Sequence, residues 1–182
     1  MRRRHTLLRG SGLLALAFAG VAAVTCAGAC AATPTFDGSL YRGRDVAFRL
    51  SPLPSTWHRV SLAAADLTFR DDSHDASILI NSRCSSSDRD APLLSLTEHL
   101  IIGTTGRHIV REETLPFDAR EARHTVLEAR LDGVPMAYDI FVLKKDGCVF
   151  DFVYVTPPGA GPAGATEFDH FVQGFHTVPG PG

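Results

Sequence analysis

The side chains best suited to chemistry are a histidine, several carboxylates and a group of serines. His124 lies in a segment of alternating polarity with Glu128 and Arg130, where a carboxylate could orient the imidazole as a general base. No G-x-S-x-G sequence is present to hold a serine nucleophile on a strained turn, and serines 85–87 form a polar run typical of a loop. We predict a protein that catalyses no reaction, and we keep a hydrolase using His124 with a nearby carboxylate as the alternative.

A metal site is the next chemistry to consider. The acidic segment that could supply oxygen and nitrogen ligands consists of Asp71, Asp72, His74 and Asp75. Its spacing differs from the calcium-loop pattern D-x-[DN]-x-[DN]-G, and acidic turn residues are usually only solvated. The sequence also lacks a Gly-Lys-Ser/Thr phosphate loop. We therefore predict neither a metal nor another cofactor.

The charge distribution argues against a nucleic-acid partner. The formal net charge is −2, but Arg2, Arg3, Arg4 and Arg9 all lie in the first ten residues. Without them, 14 basic residues face 20 acidic ones and the rest of the chain carries −6. A nucleic-acid binder needs a basic surface to neutralise phosphates, and this composition does not supply one.

The first 29 residues have the organisation of a secretory signal peptide. A basic, polar start is followed by thirteen uncharged residues, 12–24, which is too short a run for a membrane span of about twenty residues. Ala27-Gly28-Ala29-Cys30 resembles a bacterial lipobox, although Ala27 stands where Leu, Val or Ile is usual. This resemblance implies acylation at Cys30. The alternative is ordinary signal cleavage, after Ala29 or Ala32.

The cysteines beyond the leader suggest a disulfide. If Cys30 is acylated and Cys26 is removed, Cys84 and Cys148 remain. In an oxidising compartment two remaining cysteines in one domain form a reasonable disulfide pair, and no C-x-x-C spacing indicates a metal framework. Two free, buried thiols are the alternative.

The 182 residues, 45% hydrophobic and 21% charged, fit a single globular domain. We divide the chain into a lipoprotein-type signal peptide (1–29), a tether (30–40), one α/β domain (41–177) and a flexible tail (178–182). Alternation and helical spacing predict strands near 46–50, 67–70, 77–83 and 108–114, and helices between Asp90 and Gly103 and from about 165 onward.

The clearest structural pattern is a three-stranded meander over 122–131, 134–144 and 148–156. Asp132-Gly133 and Asp146-Gly147 separate these segments, and Asp-Gly favours the two-residue hairpin turn. The pairing predicts one nearly apolar face, covered by helices, and one mixed face that is covered in part. We take the mixed face as the candidate binding surface, with His124, Arg130, Asp139 and Phe152 as its candidate residues.

The segments VAFRLSPLPSTWHRV, YDIFVLKKDGCVFDFVYVTPP and EFDHFVQGF together resemble the PsbP-like and DcrB-like domains. The resemblance covers most of the chain beyond the leader. It implies an α/β (α+β) fold, an α/β/α sandwich in which helices flank an antiparallel meander, and a binding or scaffolding role. It supplies no active-site residue.

These observations predict a lipid-anchored accessory or binding lipoprotein of the bacterial cell envelope, facing the periplasm. Its expected partners are the membrane, through the anchor, and an envelope protein or small ligand that the sequence does not identify. Ala31 and Ala32 follow Cys30 where an aspartate would signal inner-membrane retention, which favours the outer membrane.

Overall fold

A seven-stranded antiparallel sheet with helices on both faces forms the centre of the fold. The computed structural model describes residues 33–88, 90–160 and 162–179. The strands are β1 (Thr35–Phe36), β2 (Leu40–Arg42), β3 (Ala47–Arg49), β4 (His58–Val60), β5 (Leu67–Asp71), β6 (Ala76–Arg83), β7 (Thr104–Phe117), β8 (Arg120–Leu131), β9 (Val134–Lys145), β10 (Cys148–Thr156) and β11 (His176–Thr177). The helices are α1 (Leu93–Leu100) and α2 (Ala163–Gln173). The large sheet has the order β4-β5-β6-β10-β9-β8-β7, and a small sheet has the order β1-β2-β3-β11.

The predicted meander is confirmed. Strands β8, β9 and β10 run within two residues of the predicted bounds, and both Asp-Gly turns have the predicted conformation. Asp132 and Asp146 have φ of 50° and 52°, and the glycines that follow have φ of 83° and 77°. Positive φ at both central residues is the type I′ geometry, whose twist matches that of the flanking strands.

Helix α1 covers the apolar face of the meander. Leu96 and Ile101 pack on Leu127, Ile140 and Val142, all of which are buried. The register places these sheet residues on one face because Leu127 lies opposite Tyr138, and Val153 opposite Ile140. The predicted helical cover of this face is therefore present.

Helix α2 and the small sheet cover the other face. Phe168 packs on Phe141 and Tyr154, and Phe171 packs edge-on against Phe69. The small sheet adds Phe48, whose ring contacts that of Phe150. The phenylalanine stripe of α2 is thus core, as its helical spacing predicted.

The boundaries of the folded domain differ from the predicted ones. Part of the predicted tether belongs to the fold, because Thr35–Phe36 forms β1 and Leu40 opens β2. The turn between them is held by Asp37, whose Oδ1 accepts hydrogen bonds from the backbone N–H groups of Ser39 (2.9 Å) and Leu40 (2.8 Å). A strand of two residues carries too little alternation to be recognised, which explains the error.

The far end of the domain also extends past its predicted limit. The backbone N–H of Val178, which we assigned to the flexible tail, donates to the carbonyl of Ala47 at 3.0 Å. The strand expected near 108–114 is longer and covers Thr104–Phe117. Residues 180–182, the predicted signal peptide (1–29) and Cys30 lie outside the described residues.

The predicted disulfide is present between Cys84 and Cys148, with Cα atoms 4.1 Å apart. Cys84 directly follows β6, and Cys148 is the first residue of β10. These strands are neighbours in the large sheet, so pairing brings the two cysteines together. The disulfide joins β6 to β10 at the end of the sheet where the Asp146-Gly147 turn lies.

Candidate functional site

His124 lies at the centre of a cluster of charged side chains on strands β7, β8 and β9. Its neighbours across the sheet are Glu113 on β7 and Phe141 on β9. The Nε2 atom lies 2.7 Å from Oδ1 of Asp139, and Nδ1 lies 3.2 Å from Oε1 of Glu113. The imidazole stacks on Phe141 with centroids 4.1 Å apart and planes inclined by 7°. Both ring nitrogens and one ring face are therefore occupied.

The charges around His124 favour its protonated form. Burial lowers the pKa of the imidazole, but the hydrogen bonds and negative charges of Asp139 and Glu113 outweigh burial and raise it above the ordinary value of 6.5. A protonated imidazole donates from both nitrogens, which is what two carboxylate neighbours require. A general base needs a free nitrogen within reach of the proton it takes. When it is protonated, His124 in this arrangement is a structural cation held between two carboxylates.

The four candidate binding residues do not share one surface. His124 and Asp139 are in contact, as described above, but Phe152 is completely buried in the core beside Phe175 of the chain end. Arg130 is exposed at the end of β8, where its Nη1 donates to the carbonyl of Gly133 at 3.0 Å. Phe152 as a surface anchor is therefore wrong, because α2 and the chain that follows it cover that part of the face.

The acidic turn is folded on itself. Asp71 is almost fully buried and accepts hydrogen bonds from the backbone N–H (2.9 Å) and hydroxyl (2.6 Å) of Ser73. Its other oxygen lies 2.6 Å from Nδ1 of His74. The hydrogen bond from the Ser73 hydroxyl contributes most to lowering the pKa of Asp71. Together with the hydrogen bonds from His74 and the Ser73 amide it outweighs the effect of burial, and the pKa falls to about 2. Among the residues that the structure describes, no three potential ligands are grouped for a metal ion.

Asp151 is a buried carboxylate that sequence reasoning missed. It lies in the middle of β10 with no exposed surface, and Oδ2 is paired with the guanidinium of Arg83. Its Oδ1 has no hydrogen-bond partner among the described atoms. Burial outweighs the nearby Arg83 charge and raises the pKa of Asp151 above its usual range. The alternating pattern of β10 does not predict a buried carboxylate, because Asp151 stands at a position where an apolar core residue is expected.

Two surface clefts lie at the end of the sheet that carries the disulfide. One, of about 430 Å³, is lined by Val46, Phe150 and Val178 together with Cys148. A second cleft lies between Arg120 and Lys144. None of the predicted binding residues lines either of them.

Comparisons with known proteins support the fold. The sequence matches no family model and no curated protein. Among solved structures, it resembles the cyanobacterial PsbP (CyanoP) of Synechocystis sp. PCC 6803 with a TM-score of 0.59 and 15% identity, over 79% of this chain and 95% of that one. It resembles LpqN of Mycobacterium tuberculosis, described as involved in cell envelope biogenesis, with a TM-score of 0.53 and 11% identity, over 81% of this chain and 90% of that one.

These similarities establish a PsbP-like α+β sandwich, as the sequence motifs implied. At such low identity they establish the fold alone, and fold does not determine function. Within the described residues, neither helix has the length and apolar composition needed to cross a bilayer.

Proposed function

We propose that the protein is a lipid-anchored, non-catalytic accessory or binding protein of the bacterial cell envelope, facing the periplasm. The main support for this proposal is the short sequence distance between the predicted signal peptide and the first strand of the folded domain. The first strand begins at Thr35, five residues after the candidate acylated cysteine, Cys30. The likeness in fold to LpqN, an envelope-biogenesis protein, agrees with this compartment.

A disulfide in the domain also agrees with export. Cys84 and Cys148 are bonded, and disulfides persist in oxidising compartments such as the periplasm. A binding role is favoured over the hydrolase alternative because both nitrogens of His124 face carboxylates. Among the described residues, the hydrogen bonds and ring contact of the imidazole are with Glu113, Asp139 and Phe141, and none is with a serine hydroxyl.

The test of the anchor is a Cys30→Ser variant with Cys26→Ser as its matched control. Two or more acyl chains hold a protein stably on a membrane, so loss of all chains should release the domain. We expect Cys30→Ser to lose the mass of the acyl chains and to move to the soluble fraction, whereas Cys26→Ser remains in the membrane. Unchanged mass and membrane association of Cys30→Ser would exclude the lipoprotein.

The choice of membrane is tested separately. We propose the outer membrane because alanines follow Cys30. The wild-type protein should therefore sediment with outer-membrane fractions in a density gradient, and Ala31→Asp should shift it toward the inner membrane. Recovery of the wild-type protein in the inner membrane would contradict this placement while leaving acylation intact.

A further inference from the structure

The cleft of about 430 Å³ lies where the small sheet meets the β9–β10 turn of the large sheet. Val46, Cys148 and Phe150 line it and are themselves buried, so its inner surface is apolar. Val178, just after β11, lines it as well, and its backbone N–H is bonded to the carbonyl of Ala47. Small-molecule sites typically have volumes of about 300–1,000 Å³. We call this space the sheet-junction cleft.

Two exposed carboxylates line the sheet-junction cleft, one from each sheet. Asp45 lies just before β3 of the small sheet, and Asp146 lies in the turn between β9 and β10 of the large sheet. Within residues 33–88, 90–160 and 162–179, neither carboxylate has a basic side chain at ion-pair distance. An apolar interior therefore adjoins two uncompensated negative charges.

No basic side chain lines this cleft in the described part of the chain. Four other clefts differ in this respect, because each includes an arginine or a lysine. The basic side chains beyond the β9–β10 turn bind elsewhere. Lys145 is paired with the carboxylate of Asp118, and Arg120 donates from Nε to the carbonyl of Lys144 at 3.4 Å. The charge that faces an occupant of the cleft is therefore negative.

The apolar surface of the cleft does not continue onto the surface around it. None of the large apolar side chains that are most exposed lines the cleft; they are Val60, Leu62, Leu94, Ile102, Ile109, Val110, Leu131 and Val134. A stable protein interface buries about 800 Å² on each partner. A confined apolar cleft is better suited to a small molecule that fits inside it.

We propose that the sheet-junction cleft binds a small organic ammonium ion. The apolar body of the ligand contacts Val46 and Phe150, and its N–H groups donate to Asp45 and Asp146. An ammonium group carries three donors and no acceptor, which matches carboxylates that only accept. This proposal rests on the binding role proposed above and gives that role a class of ligand.

The probe is 2-phenylethylammonium, compared with the uncharged 2-phenylethanol and the anionic 3-phenylpropanoate. Binding to the full chain is followed by the amide signals of Ala47, Cys148 and Val178 in nuclear magnetic resonance spectra. The protein is kept in neutral detergent if it is acylated and in buffer if it is not, so failure of the anchor is read separately. We expect saturable binding of the ammonium ion, about tenfold tighter than that of the alcohol, and no binding of the propanoate.

Asp45→Asn and Asp146→Asn remove the charges at nearly constant size. Asparagine also adopts the positive φ of a type I′ turn, so Asp146→Asn keeps the β9–β10 hairpin. Each change should weaken binding of the ammonium ion about fivefold, and both together about tenfold or more, without changing the affinity for the alcohol. Asp132→Asn is the matched control, because Asp132 holds the same place in the other Asp-Gly turn, with φ of 50° against 52°. It should leave the affinity unchanged.

Three results would overturn the proposal while leaving a binding role intact. They are equal affinity for the ammonium ion and the alcohol, tighter binding of the propanoate, and signal changes centred outside the cleft. Equal losses for Asp132→Asn and Asp146→Asn would also overturn it, since the carboxylates of the cleft would then have no special part. Absence of saturable binding of all three probes excludes the cleft as a ligand site. Binding that appears only after removal of residues 180–182 assigns the cleft to the end of the chain.

Discussion

Replacing His124 by phenylalanine isolates the energetic role of its two hydrogen bonds. A phenyl ring can keep the parallel stacking on Phe141, whose centroid lies 4.1 Å from that of the imidazole. It cannot donate to Asp139 or to Glu113. The free energy of unfolding should therefore fall through the lost charge-assisted contacts, with little loss of packing.

The two contacts should contribute unequally. Hydrogen bonds to charged groups contribute about 1.5–3 kcal/mol when buried, and the Asp139 side chain is 16% exposed. The Glu113 side chain is 47% exposed, so solvent screening leaves its contribution small. We expect His124→Phe to lower the free energy of unfolding by about 2 kcal/mol under acidic conditions, mostly through Asp139.

The stabilisation by His124 should decrease as the pH rises. Because the folded protein raises the pKa of His124 above 6.5, protonation is favoured in the folded state. The stabilisation is complete below the unfolded pKa and is lost as the pH rises through the higher folded value. The difference between wild type and His124→Phe should therefore be larger at about pH 5.5 than at about pH 9.

Urea denaturation at both pH values measures these differences. His108→Phe is the matched control, because His108 is exposed on β7 and has no carboxylate within ion-pair distance in the described part of the chain. It should change stability little at either pH. A His124→Phe difference that stays constant, or that grows toward alkaline pH, would refute the assignment of His124 as a structural cation.

Two further changes test the packing and the cross-link. A Cβ at Gly164 would lie 2.5 Å from the hydroxyl oxygen of Tyr154, so Gly164→Ala should cost about 1–3 kcal/mol in thermal or urea unfolding. Tyr154→Phe should recover most of that loss, and a Gly164→Ala cost that Tyr154→Phe leaves unchanged would contradict the close approach. Replacing both Cys84 and Cys148 by alanine opens a loop with a sequence separation of 64 and should cost up to about 4 kcal/mol. Titration of two free thiols in the unreduced, denatured wild type would show that the bond does not form.

The sequence predicted the meander because local chemistry determines it. Asp132-Gly133 and Asp146-Gly147 each specify a two-residue turn, and that turn fixes which residues of β8, β9 and β10 share a face. This register places Leu127 and Tyr138 on one face of the sheet and His124 and Phe141 on the other. The helical spacing of the phenylalanines in α2 is likewise a local pattern, and it predicted the buried face of that helix.

The partners of His124 depend on non-local geometry. Asp139 lies within reach because of the predictable β8–β9 register. Glu113 lies on β7, which pairs with β8 through two irregularities, between Thr105 and His108 and between Ile109 and Arg111. Each irregularity shifts the register, and composition alone does not place a bulge.

The burial of Phe152 shows a second limit. The alternation assigned it correctly to the mixed face, but periodicity does not say which part of a face a helix covers. Asp151 was missed for the opposite reason, since one polar residue in an apolar strand does not change the pattern. In both cases tertiary packing decides the environment of the side chain.

The small sheet links the two ends of the folded chain and so affects the order in which the protein can fold. Strand β11 pairs with β3, placing His176 opposite Arg49 and Thr177 opposite Phe48. Phe175, just before β11, touches the rings of Phe48 and Phe150.

Strand β3 can complete its pairing only after β11, 127 residues further along the sequence (His176 against Arg49), has reached it. Contacts of such large sequence separation slow folding, because loop closure precedes any gain from the contact. Until β11 pairs with β3, the rings of Phe48 and Phe150 lack their contact with Phe175, and exposed apolar surface of this kind lets aggregation compete with folding. The pairing of β11 with β3 is therefore the step that ends this exposure.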